Sequence, residues 1–350
     1  MAGLSPPIPA PTLTTHEMSM DEKARATHHH LTGKVRRTYK ILACPAFHSL
    51  AERMATADPG RFEYFPSRWE KFPDGTDNME LGGYTPVNRI RGEHVIFLAS
   101  FQNNDTALTQ FFAMITLLES FIESLTVVLP FYPTATMERI VKEGVVATAS
   151  TMARIFNCLP SCGRPTCLLI YDLHTLQNRF YLTGHCIAQL ETTIPLLKEA
   201  ILVGDTPVDM VAFPDDGAAK RFGSMFEGEG YSVVICGKHR DGERRVVTIQ
   251  DGDPSQCKHI LIVDDLIQTG GTLFEAAGAL KAAGAPLVSA FCAHGVFPNE
   301  SWRRFCKGGD RAIFHKFWIT NSVPTTTDAL PKDDVFEVLD ILPAIMTDLP

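Results

Sequence analysis

HILIVDDLIQTGGTL, residues 259–273, reads as an apolar strand running into two carboxylates, Asp264 and Asp265, then a polar loop and the start of a helix. The loop carries Gln268, Thr269, Gly270, Gly271 and Thr272. These residue types suit an anion. Glycines let the backbone approach closely, successive amides and the first helical turn point N–H groups outward, and threonine hydroxyls add donors. In open parallel sheets ligands bind at the carboxyl ends of strands, where the two acids stand. A plain strand, turn and capped helix with solvated acids is the competing reading.

Working outward, short β-branched runs alternate with helical patterns. HVIFLAS, a helix over about 105–124, LTVVLP, a second helix and TCLLIYD form one series. A helix near Ile187 to Ile201 follows, and then DMVAF, YSVVICGK, HILIVDD, a helix over about 272–283 and LVSAFCAHG form another. Such alternation is the βαβ pattern of parallel sheets covered on both faces. HVIFLASFQNNDTALTQFF from His94 also lines up with HILIVDDLIQTGGTLFEAA from His259, so the chain reads as internally duplicated. The second copy alone has the acidic pair and the glycines.

The 350 residues, 45% of them hydrophobic, suffice for two domains with separate cores. We expect an extension over 1–38, a first α/β domain over 39–193, a second over 194–330, and a C-terminal segment, 331–350, packing back on the first. The extension includes SPPIPAPTLTTH and has neither helical nor strand periodicity. Its His28 to His30 read as solvated residues. A formal charge of −8 with scattered cations argues against a nucleic-acid binder. With no apolar run of membrane-spanning length and no signal-peptide pattern, the expectation is a soluble, cytoplasmic protein with no membrane partner. Nine cysteines, mostly in apolar segments, suit reduced thiols; Cys158, Cys162 and Cys167 lack the paired spacing of a zinc site.

Adjacent carboxylates before a phosphate cradle fit a sugar with vicinal hydroxyls at one end and a phosphate at the other, as in ribose 5-phosphate. The segment resembles the phosphoribosyl-diphosphate motif of the type I phosphoribosyltransferases. Taken alone, it does not separate those transferases from the ribose-phosphate diphosphokinases.

Three further segments point to the diphosphokinases: Asp172-Leu173-His174, FPDDGAAKR from Phe213 to Arg221, and VVICGKHR with Lys238 and Arg240. Together with the loop they resemble that family's motifs in order, from about Phe62 onward. GVVATASTMARIF and HGVFPNESWRRF resemble its plant-type branch. The resemblance implies two phosphoribosyltransferase-like domains, each a mostly parallel sheet flanked by helices. It implies transfer of a diphosphoryl group from ATP to ribose 5-phosphate for nucleotide biosynthesis, with Mg²⁺ as cofactor held by His174 and Asp215. Lys238 and Arg240 would close over the transferring group as catalytic residues with His174, and Asp172 would orient its loop. Asp264, Asp265, Gln268, Thr269, Gly270, Gly271 and Thr272 would hold the sugar phosphate.

Adenine recognition by the family uses an FPDG segment, here Phe72 to Gly75, contributed by a neighbouring subunit, which implies a homo-oligomer. Where the family often has a glutamate, this chain has Thr76. Thr136 and Met137 stand where an arginine and a glutamine are usual, which leaves Glu138, Arg139 and His174 for ATP. Gln268 replaces a common acid and cannot act as a base. These departures are shared with the plant-type branch, and the resemblance implies activity without inorganic phosphate. Two rivals remain: a regulatory paralogue without turnover, and a phosphoribosyltransferase acting on a nucleobase.

Overall fold

The computed structural model describes residues 37–134, 137, 140, 142–204, 207–241 and 244–350, with the backbone alone for 238–241 and 244–246. Residues 1–36 of the expected extension, with His28 to His30, lie outside the described residues, as do Thr136, Glu138 and Arg139.

The first half builds β1 (Tyr39–Ala43), α1 (His48–Ala57), β2 (Phe62–Tyr64), β3 (Arg68–Lys71), β4 (Asp77–Glu80), β5 (His94–Leu98), α2 (Asn104–Leu118), β6 (Ser124–Val128), α3 (Thr148–Asn157), β7 (Thr166–Tyr171) and β8 (Cys186–Glu191). Six of these strands form one parallel sheet in the order β2-β1-β5-β6-β7-β8, and β3 and β4 make a separate antiparallel hairpin. Apolar runs such as HVIFL in β5 are buried on both faces, as a covered parallel sheet requires. One face packs on α2 and α3 through Phe97, Phe111, Met114 and Phe156. The helix α2 opens on a capping box between Asn103 and Thr106.

The second half builds α4 (Ile194–Val203), β9 (Met210–Phe213), α5 (Asp216–Phe226), β10 (Ser232–Asp241), β11 (Arg244–Asp251), β12 (Ile260–Ile267), α6 (Gly271–Ala282), β13 (Val288–Gly295), β14 (Phe317–Thr320), α7 (Pro324–Thr327), β15 (Phe336–Leu339) and α8 (Leu342–Asp348). The sheet order is β11-β10-β9-β12-β13-β14-β15, parallel except for the β10–β11 hairpin. Between the halves, α4 packs with α5 against this second sheet through Leu197, Ile201 and Phe222. Farther on, β15 extends the second sheet, while α8 places Ile345 among Tyr39, Ile41 and Tyr171 of the first.

Three local expectations are corrected. Residues 186–191 are strand β8, not the start of a helix: Cys186 and Ala188 turn inward, Ile187 outward, and the run pairs with β7. The helix begins only at Ile194, with Pro195 in its first turn. Helix α2 stops at Leu118, because Phe121 takes a left-handed φ of 58° and the backbone of Glu123 already donates to the Glu93 carbonyl. Strand β12 continues through both acids to Ile267, held by parallel pairing with β13.

The duplication has a matching hydrogen bond in each half. His94 Nδ1 lies 2.7 Å from Ser124 Oγ between β5 and β6, and His259 Nε2 lies 2.8 Å from Ser289 Oγ between β12 and β13.

Candidate active site

The loop Gln268–Thr272 leads from β12 into α6. Gly270 is the N-cap residue of α6 at φ 71°, and a Cβ built on it would fall 2.3 Å from the Phe305 ring, so both backbone shape and space require glycine. Gly271 and Thr272 then enter the first helical turn, where backbone donors lack intrahelical partners. Asp264 is largely buried, and its Oδ1 accepts the backbone N–H of Asp265 at 2.9 Å. Its carboxyl is pushed well above the usual range, first by burial and then by Asp265 and Asp215.

Asp265 is 5% exposed and turns toward the first sheet. His174 Nδ1 lies 3.1 Å from its Oδ1 and 3.0 Å from its Oδ2, and since a carboxylate only accepts, the imidazole donates. His174 is aimed by an unusual turn after β7. Asp172 has a φ of 40° and is fully buried, a conformation that persists only where neighbours enforce it. Its carboxylate accepts from Thr192 Oγ1 at 2.7 Å and from Thr193 N and Oγ1 at 2.8 and 2.5 Å, with Arg221 at 3.7 Å. From the other side, buried His294 of β13 donates from Nε2 to the Tyr171 carbonyl at 2.9 Å, while its Nδ1 lies 2.8 Å from Ser322 Oγ.

Asp215 caps α5, with Oδ1 accepting from Gly217 and Ala218. His174, Asp215, Asp264, Asp265 and residues 268–272 all line one cleft of 860 Å³. A second cavity of 390 Å³ shares His174 and Gln268 with it and is bounded by Phe131 to Thr134.

Lys220 and Arg221 also line the larger cleft, and sequence reasoning had assigned them no role. The signal was available: a helix capped by Asp215 carries both cations within its second turn. Cations there offset the acids and suit an anionic ligand.

Phe72 and Asp74 line neither of these two cavities. They occupy the β3–β4 turn, with Phe72 49% exposed and Asp74 Oδ1 accepting from Thr76 N and Oγ1 at 3.0 and 2.7 Å. Lys238 and Arg240 stand two residues apart on extended β10, opposite Val247 and Arg245 of β11. Among the described residues no group of three or more His, Cys, Asp or Glu is arranged to hold a metal unaided, and no helix is long and apolar enough to cross a membrane.

Residues 39–159 match the family model described as the N-terminal domain of ribose phosphate pyrophosphokinase, the diphosphokinases under their other name. The chain is 45% identical over 281 residues to ribose-phosphate pyrophosphokinase 4 of Arabidopsis thaliana, covering 79% of this chain and 82% of that one. It is 40% identical over 319 residues to the chloroplastic ribose-phosphate pyrophosphokinase 3 of Oryza sativa subsp. japonica, covering 89% and 76%. The crystal structure of phosphoribosylpyrophosphate synthetase from Mycobacterium smegmatis shares the fold, with a TM-score of 0.71 at 24% identity over 89% of this chain and 97% of that one. With relatives this similar over most of their length, and with the loop, histidine turn and capped α5 gathered at one cleft, the chain belongs to the ribose-phosphate pyrophosphokinase family.

Proposed function

We propose that the chain transfers a diphosphoryl group from ATP to the anomeric hydroxyl of ribose 5-phosphate, giving AMP and 5-phosphoribosyl 1-diphosphate. The observation that carries this reading is the cleft that brings His174 and Asp215 to the same space as the phosphate loop. Ribose 5-phosphate lies with its phosphate on residues 268–272 and its vicinal hydroxyls on Asp264 and Asp265. The anomeric oxygen attacks the β-phosphorus, the bond from that phosphorus to the α-phosphate oxygen breaks, and AMP leaves. Where the hydroxyl proton goes to a side chain, Asp264 or Asp265 receives it, because Gln268 cannot.

Mg²⁺ bound with the nucleotide would offset the triphosphate charge, held by His174 and Asp215. His174 and Asp215 line the same cleft as the phosphate loop, and Mg²⁺ usually needs only one or two protein ligands beside water and phosphate oxygens. His174 donates to Asp265 and so keeps one ring nitrogen directed at the second sheet. Lys238 and Arg240 stabilise charge on the transferring group from the β10–β11 hairpin. ATP runs along the edge shared by the two cavities, and the family resemblance assigns Glu138 and Arg139 to it as well. The family resemblance assigns Phe72 and Asp74, which line neither cavity, to the adenine site of a neighbouring copy, making the active form a homo-oligomer.

We take the domains to be the two sheets with their helices, divided at 193/194, with the segment from 331 bridging them. Plant-type behaviour, with activity independent of inorganic phosphate, is part of the proposal, as is a cytoplasmic location; imaging the full chain in cells tests the latter.

AMP formation from ATP and Mg²⁺, with and without ribose 5-phosphate and inorganic phosphate, tests the reaction. Ribose-dependent AMP should persist without phosphate and collapse in Lys238→Ala. No AMP under any condition, with ribose 5-phosphate still bound, would make the chain a regulatory partner instead.

A further inference from the structure

The segment from Val296 to Arg311, joining β13 to β14, has no part in the chemistry above. Its backbone is unusual: Phe297, Asn299 and Glu300 take φ values of 42°, 54° and 54°. Non-glycine residues hold such angles only where their surroundings enforce them, and such runs gather at functional sites. Phe297, Trp302 and Phe305 anchor the segment in the second core at 3, 6 and 1% exposure.

From this anchorage the segment reaches three successive carbonyls, at the end of β12 and in the first two residues of the phosphate loop. Val296 N donates to Ile267 O at 3.0 Å, Ser301 Oγ to Gln268 O at 3.3 Å, and Arg311 Nη1 to Thr269 O at 3.1 Å. In a planar trans peptide the C=O of one residue and the N–H of the next point in opposite directions. Pinning the carbonyls of 267, 268 and 269 therefore turns the N–H groups of 268, 269 and 270 the other way. All three of those residues line the cleft.

Arg311 is itself held in place. Its backbone N–H donates to Arg304 O at 2.8 Å, Arg304 pairs with Asp310, and its guanidinium lies over the Phe274 ring at 5.3 Å. A Cβ on Gly309 would fall 2.3 Å from the Arg304 carbonyl, so this return of the chain requires glycine. The same segment supplies the Phe305 ring that fills the space beside Gly270.

We propose that residues 296–311 form a collar that holds the phosphate loop in its binding shape, with Ser301 and Arg311 as positioning residues for the sugar phosphate. The collar acts from behind the loop, and its guanidinium also adds positive charge beside the start of α6. This rests on the ribose 5-phosphate reading, and two measurements keep the two apart.

Amide hydrogen exchange of residues 268–271 in the ligand-free chain reads the clamp itself, whatever the ligand. It should quicken in Arg311→Ala and Ser301→Ala, and stay as in the wild type in Arg303→Ala, whose side chain pairs with Glu300 on the outer surface. Steady-state kinetics read the consequence: Arg311→Ala should raise KM for ribose 5-phosphate roughly tenfold, as expected for loss of one charge-assisted hydrogen bond. KM for ATP should not move, and Arg311→Lys should recover most of the loss. Unchanged exchange in both clamp variants, or equal damage to both KM values, overturns the collar. A wild type that binds no ribose 5-phosphate removes the functional reading instead, and the exchange result then decides the collar alone.

Discussion

His174 Nδ1 stands 3.0 Å from Asp265 Oδ2, a contact that joins the turn after β7 of the first sheet to β12 of the second. The two sheets thus meet through a side-chain pair inside the cleft. Residues acting as one unit lose their effect together, so their substitutions should not add. His174→Ala should lower kcat by about a hundredfold or more, the scale of removing one stabilising group from a transition state. Asp265→Asn should lower it less, and the double variant should be little worse than His174→Ala. Full additivity in a double-mutant cycle on kcat would show that the contact does no joint work.

Gly270→Ala combines a left-handed backbone with a ring 2.3 Å from the new methyl. Each effect costs on the order of 1–3 kcal/mol. The variant should unfold at lower urea concentration and bind ribose 5-phosphate weakly. Thr269→Ala, which keeps the backbone, should retain wild-type stability in the same titration.

His294 carries a pH dependence. Burial pushes it below its ordinary value near 6.5, while Asp172 and the Tyr171 carbonyl pull the other way. The folded chain keeps the ring neutral, so the unfolded chain takes up the proton first as pH falls. Stability from this site is full above the unfolded value and is lost as pH drops below it. The urea midpoint should fall between about pH 7 and about pH 5.5, and His294→Gln should flatten that slope. An identical slope in the variant would place the titration elsewhere.

What could be read from the residues divides along physical lines. Strands β5, β6, β9 and β13, and β12 up to Val263, are largely apolar runs that suit a covered sheet, so they were legible. In β8, CIAQLE fits both a short amphipathic helix and an alternating edge strand, and its pairing with β7 decided between them. The hairpin of RWEK and DNME has one apolar pair, Trp69 opposite Met79, too little to show an alternation. The loop Gln268 to Thr272 was legible because its chemistry is local. Contacts across the cleft were not: His174 and Asp265 are 91 residues apart, and His294 meets Tyr171 across 123. The collar's motif was visible as HGVFPNESWRRF, but its purpose depends on which carbonyls it reaches.

The helix α8 sets an order of events. Ile341, Ile345 and Leu349 cover Tyr39, Ile41 and Ala43, and Tyr171 and Gln189 bond to Asp348 while Arg61 reaches the Met346 carbonyl. A ribosome releases the strands of the first sheet long before these residues exist. Until residues 341–349 emerge, the part of that sheet's face that α1 does not cover stays wet and open to chaperones or to another nascent chain. The half that is synthesised first is therefore the half that is finished last.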